Sequence, residues 1–143
     1  MEEKFTVEDL KKIIPRITQG FTDYTGVKPV SIEEGRCVCE LEINENHLNP
    51  IQSVHGGVIY TMADVAGGIA ARSMGTQNVT TMNSSISFLS PGLDCRKLTA
   101  TAVVIKSGKK TTSVEVDITN ESGKLLSKVI STYFNLDANR KTK

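Results

Sequence analysis

The sequence has no tryptophan, and aromatic residues make up 5 % of it. A protein that stacks nucleic-acid bases on aromatic side chains is not expected from such a composition. Neither sign of charge dominates, because 17 Lys and Arg face 16 Asp and Glu for a net charge of +1. Dedicated nucleic-acid binders are much more basic. Long apolar runs are missing as well. The longest, Ala102 to Ile105, is four residues, against about 20 for a membrane-spanning helix and about 7–15 for the core of a signal peptide. No membrane association is expected. Cysteine is scarce and odd in number, at three, which without a secretory signal points to the cytoplasm. Cys37 and Cys39 share a face of one strand, with Cα atoms about 6–7 Å apart, an awkward separation for a disulfide. They read as buried structural thiols.

What is present is enough for one folded unit. The chain has 143 residues, 38 % hydrophobic and 23 % charged, and is expected to form a single domain over 1–143. A chain of that length buries a core without a disulfide or a metal. Thr6 and Asp9 form a T-x-x-D start for a helix carrying Leu10, Ile13, Ile14 and Ile17. Pro15 should kink or shorten it, and Gly20 should stop it. Two strands follow, Val27 to Glu33 and Arg36 to Ile43, joined by a turn at Gly35. Asn44 to Pro50 has loop chemistry. Residues 57 to 74 form the strongest helix, with a wide apolar stripe of Val58, Met62, Val65, Ala66, Ile69 and Ala70. Strands are then expected over Val79 to Leu89 and Lys97 to Lys106. A third is marked by Val114, Val116 and Ile118, and the last runs from Lys124 to Leu136. The last strand is apolar on both faces, which predicts a central, doubly covered position. The basic tail Asn139 to Lys143 is expected to fray. This order defines an α+β fold, with an antiparallel sheet of about six strands wrapped around one long apolar helix.

Most catalytic signatures are absent, including G-x-S-x-G, the phosphate-binding loop, G-x-G-x-x-G and H-E-x-x-H. The two histidines, His47 and His55, with Asp64 make only a weak metal site, and no metal is expected. The informative stretch runs from Asn49 through His55, Gly56 and Gly57 into the long helix and Asp64. Uncovered amides at a helix N-terminus suit a carbonyl oxygen or a developing oxyanion. The same glycines would also allow a tight entry to the helix and nothing more. Asp64 lies too deep to cap its helix, and its same-face neighbours Gly67, Gly68 and Ala71 are small. It is a candidate base or nucleophile, or a hydrogen-bonded structural carboxylate. Thr81, Asn83, Ser85 and Ser87 place four polar side chains on one strand face, either a solvated face or a source of hydroxyls.

Together, Asn49-x5-His55-Gly56-Gly57-x6-Asp64, Ser90-Pro91-Gly92 and hairpins at Gly108 and Gly123 resemble the hotdog-fold acyl-CoA thioesterases of the PaaI-like branch. The resemblance runs from about residue 5 to 136. It implies a homodimer or dimer of dimers with active sites shared between subunits. Asp64 would act as general base or nucleophile, and the Gly56 amide would polarise the thioester carbonyl. Asn49 would hold water or thioester, Thr81 would help position the water, and His55 and Gly57 would lie at the substrate-binding site, with His55 more structural than catalytic. No cofactor is implied, since coenzyme A belongs to the substrate. Its anionic part could meet Lys106, Lys109 and Lys110, with Arg96 and Lys97 as further candidates. Two alternatives on the same fold are a non-catalytic acyl-CoA binding protein and an enoyl-CoA hydratase using His55 with Asp64.

Overall fold

The computed structural model describes residues 4–137. Helix α1 (Val7–Ile17) starts as expected. The Thr6 side chain accepts from the Asp9 N–H at 3.1 Å and the Asp9 carboxylate accepts from the Thr6 N–H at 2.9 Å. Pro15 lies inside α1, which ends two residues later. A short helix α2 (Phe21–Thr25) follows between Gly20 and Gly26, whose φ values of 78° and 92° need glycine. Five residues are too few to show a helical period, so α2 left no pattern in the sequence.

Strands β1 (Lys28–Glu33) and β2 (Arg36–Glu42) form a hairpin about Gly35. A short 3-10 turn at Glu45–His47 and the loop after it lead into helix α3 (Gly56–Arg72). Strands β3 (Val79–Phe88), β4 (Lys97–Ser107), β5 (Thr111–Asn120) and β6 (Leu125–Asn135) complete one antiparallel sheet in the order β1-β2-β4-β5-β6-β3. Helix α3 packs against all six strands. Met62, Ala63, Ala66, Ile69 and Ala70 of α3 meet Cys37, Cys39, Leu98, Ala100, Val116 and Val129 in one core. The expected fold, a sheet around an apolar helix, is therefore present. The two core cysteines are free thiols, with sulfurs 3.9 Å apart.

Two expectations need correction. Strand β6 is not covered on both faces. Its inner face (Val129, Ser131, Tyr133) is buried, but Ile130 is 48 % exposed and lies in register with Glu115 and, through it, Val103 on an open outer face. An irregularity at Leu126 also turns Leu126 inward and leaves Leu125 half-exposed. The second correction concerns β3, where pairing with β6 slips at Met82. Period-two alternation restarts there, so Thr81 faces α3 while Asn83, Ser85 and Ser87 stay on the outer face. The tail Asn139 to Lys143 lies outside the described residues.

Candidate active site

The residues singled out in the sequence fall into two groups, set at different points along α3. The first lies at its N-terminus. His55 is the N-cap, and its Nδ1 accepts from the Gly57 N–H at 2.8 Å. A neutral imidazole that accepts at Nδ1 carries its proton on Nε2. Both glycines sit close against side chains. A Cβ on Gly56 would stand 3.1 Å from the Phe88 ring, and one on Gly57 would stand 3.0 Å from His55 Nδ1. Among the described residues nothing accepts a hydrogen bond from the Gly56 N–H, which leaves it as a free donor at the positive end of the helix dipole.

Asn49 reaches the same place from the preceding loop. Its Oδ1 accepts from the Ile51 and Ser53 N–H groups, each at 3.1 Å. This closes a tight loop in which Gln52 adopts φ 65°, a left-handed conformation that costs a non-glycine residue energy and is often found near sites. Asn49 Nδ2 makes one long contact, 3.4 Å to Ser53 Oγ, and so keeps donor capacity. Asn49, Gly56, Ile59, Phe88 and Pro91 line a shared hollow of about 350 Å³.

The second group surrounds Asp64. Thr81 Oγ1 donates to Asp64 Oδ1 at 2.7 Å. Tyr133 Oη lies 3.0 Å from the Asp64 backbone oxygen and 3.3 Å from Oδ1, a donor shared between the two. One carboxylate oxygen thus holds two hydroxyl contacts, while Oδ2 has no hydrogen-bond partner among the described residues. Burial pushes the Tyr133 phenol well above its ordinary pKa, and the nearby Asp64 charge adds to this. Tyr133 consequently stays protonated, a donor at any working pH. Its ring is seated against Gly67, where a Cβ would stand 3.1 Å from Cζ. The small-residue face near Asp64 is therefore filled by Tyr133 of the same chain. Asp64, Thr81 and Tyr133 border a second hollow of about 180 Å³, roofed by Ile17, Thr18 and Thr22 of the N-terminal helices.

Sequence alone did not mark Tyr133, Phe88 or the α1–α2 roof. Tyr133 read as an apolar strand residue, and its partnership with Asp64 needs the pairing Thr81↔Tyr133 to be known. His47 is buried, with Nδ1 accepting from the Asn44 N–H and Nε2 2.7 Å from the Thr25 carbonyl. No metal-holding cluster of His, Cys, Asp and Glu occurs among the described residues. Lys106, Lys109 and Lys110 are exposed at the end of β4 and in the turn after it, and border neither hollow. Lys97 is paired to Glu40 at 2.7 Å, and the Arg96 backbone N–H donates to the Glu121 carboxylate.

A sheet wound around a central helix, with a free amide at that helix's start and a buttressed carboxylate further along it, defines a hotdog-type α+β protein with a site suited to carbonyl chemistry. The thioesterase superfamily model matches residues 51–127, and the chain belongs to that family. It is 36 % identical over 99 residues to the acyl-coenzyme A thioesterase PaaI of Escherichia coli, covering 69 % of this chain and 70 % of the relative. It is 30 % identical over 125 residues to human acyl-coenzyme A thioesterase 13, covering 83 % and 89 %. The solved structure of the E. coli PaaI protein superposes with a TM-score of 0.83 at 26 % identity, over 91 % of this chain and 95 % of that one. A Streptococcus mutans protein, smu.793, solved bound to acetyl CoA, gives a TM-score of 0.72 at 29 % identity over 76 % and 87 %. No helix among the described residues is long and apolar enough to cross a membrane.

Proposed function

We propose that this chain is an acyl-CoA thioesterase whose active site is completed by a second copy of itself. The spacing on α3 carries the reading. Gly56 and Asp64 are eight residues apart, about 12 Å along a helix axis, and they border different hollows. One thioester carbonyl cannot touch both groups of a single chain. Two copies related by a twofold axis would bring the Gly56 amide of one against the Asp64 carboxylate of the other. The names of the E. coli and human relatives, and the acetyl CoA bound to the Streptococcus protein, supply the substrate class.

The chemistry follows from the donors. The thioester oxygen accepts from the free Gly56 N–H, which favours charge developing on it. Asn49 Nδ2, beside Gly56, holds the attacking water or the carbonyl. Asp64 Oδ2 takes the water's proton as its oxygen bonds to the carbonyl carbon, or attacks that carbon itself as nucleophile. In the first route, collapse of the tetrahedral intermediate breaks the C–S bond, and the thiolate takes the proton that Asp64 holds, giving CoA and a free acid. In the second, C–S cleavage leaves an acyl anhydride on Asp64, and water hydrolyses it to the free acid and the carboxylate while its second proton goes to the thiolate. A thioester is an activated acyl group, so orientation and oxyanion stabilisation carry most of the task. Cytoplasmic operation fits the free thiols in the core. The hydratase alternative is disfavoured because a His55 imidazole that caps through Nδ1 holds its proton on Nε2 and leaves no ring nitrogen free to act as base.

Replacing Asp64 with Ala is expected to lower the thiol-release rate on the best acyl-CoA by on the order of 100-fold or more. Wild-type turnover by the purified variant would overturn the assignment, and loss of crotonyl-CoA absorbance without thiol release would favour the hydratase.

A further inference from the structure

The hollow beyond Asp64 holds a charged side chain that hydrolysis does not use. Arg72 ends α3 and lies on the same face as Asp64 and Gly68, at i, i+4 and i+8. Its side chain folds back toward the helix N-terminus, as long helical side chains do. A Cβ on Gly68 would stand 3.4 Å from Arg72 Nη1, so the absence of a side chain there gives the guanidinium its place. Nε donates to the Gln77 carbonyl at 3.1 Å. Among the described residues, no hydrogen bond or ion pair engages the two terminal nitrogens. Burial pulls the guanidinium below its ordinary pKa, against the opposing charges of Asp64 and Asp137, yet an arginine remains charged in any protein.

The space between is shaped for a small guest. Asp64 and Arg72 line one hollow of about 180 Å³ with Thr22, Val65 and Val79, comparable to the engineered cavity of about 150 Å³ that takes up benzene. The guanidinium stands over Gly68, about one helical turn, roughly 6 Å, from Asp64 along the axis. Its free terminal N–H groups form the fork that a carboxylate fits best.

We propose that this hollow is the acyl pocket and that Arg72 selects compact acyl groups ending in a carboxylate, one helical turn from the thioester carbonyl. This deepens the thioesterase reading and rests on it. Asp64 then meets the reacting end of the acyl group and Arg72 its far end, with Gly68 as the floor between them. Val65 and Val79 receive the methylenes.

The test compares adipoyl-CoA with hexanoyl-CoA, which differ only in the distal carboxylate. Wild-type protein, Arg72→Met and Arg72→Lys are assayed for thiol release, and their binding of the matching non-hydrolysable thioether analogues is titrated. A ratio of two substrates on one preparation is independent of the fraction folded. The wild type is expected to favour adipoyl-CoA in kcat/KM by about tenfold or more. Arg72→Met should abolish the preference, and Arg72→Lys should restore part of it. A wild-type preference for hexanoyl-CoA, or a ratio unmoved in Arg72→Met, overturns the pocket assignment while leaving hydrolysis standing. An Arg72-dependent binding preference for the carboxylate analogue without any thiol release upholds the pocket and overturns the enzyme.

Discussion

Asp64 is held by hydroxyls rather than by a positive charge, and the difference governs what each contact contributes. Thr81 and Tyr133 both reach Oδ1, which leaves Oδ2 as the carboxylate oxygen without a hydrogen-bond partner among the described residues, the oxygen that the proposed reaction uses. Removing one such donor should cost about 0.5–1.5 kcal/mol of orientation. Tyr133→Phe is therefore expected to lower kcat by about three- to tenfold with little change in KM, read from saturation curves on one acyl-CoA. A raised KM with kcat unchanged would mean that the phenol serves binding instead. The carboxylate itself was legible in the sequence, because Asp64 stands out on an apolar helix with small neighbours. Its supports were only half legible. Alternation put Thr81 with Asn83, Ser85 and Ser87, and only the slip at Met82 moves it to the helix side. A bulge depends on the partner strand, and a single strand's pattern does not contain that information.

The start of α3 shows the opposite balance. H-G-G was readable as an entry to a helix, and the structure gives each letter a separate task. His55 caps, Gly56 clears the Phe88 ring, and Gly57 lets the imidazole approach. His55→Ala should lower the unfolding free energy by about 0.5–2 kcal/mol, and His55→Asn, which supplies a capping oxygen in place of the ring nitrogen, should recover most of it. Denaturant titration monitored by circular dichroism checks both. Where an element carried ten or more periodic residues, as α3 and β4 to β6 do, its position was evident from the sequence to within a few residues. Where it was short, as α2 is, or where its covering partner was unknown, as for the outer face of β6, pattern alone was silent or misleading.

For the whole molecule, the informative fact is that the two halves of the proposed site border different hollows of one chain. Two inactive variants damaged in different halves should therefore rescue each other. Mixing Asp64→Ala with Asn49→Ala under conditions that allow subunit exchange gives hybrids with one intact site and one doubly damaged site. Random pairing restores about a quarter of wild-type sites. Thiol release by the mixture, against silence from each variant alone, is the expected result; continued silence in demonstrated hybrids would place both groups of each site on one chain.

In the proposed two-chain site, that separation along α3 would also make the reaction depend on how much protein is present. A dissociated copy would carry a carboxylate without its amide and an amide without its carboxylate. Diluted below the dissociation constant of the pair, the protein should lose specific activity while every chain in it remains folded.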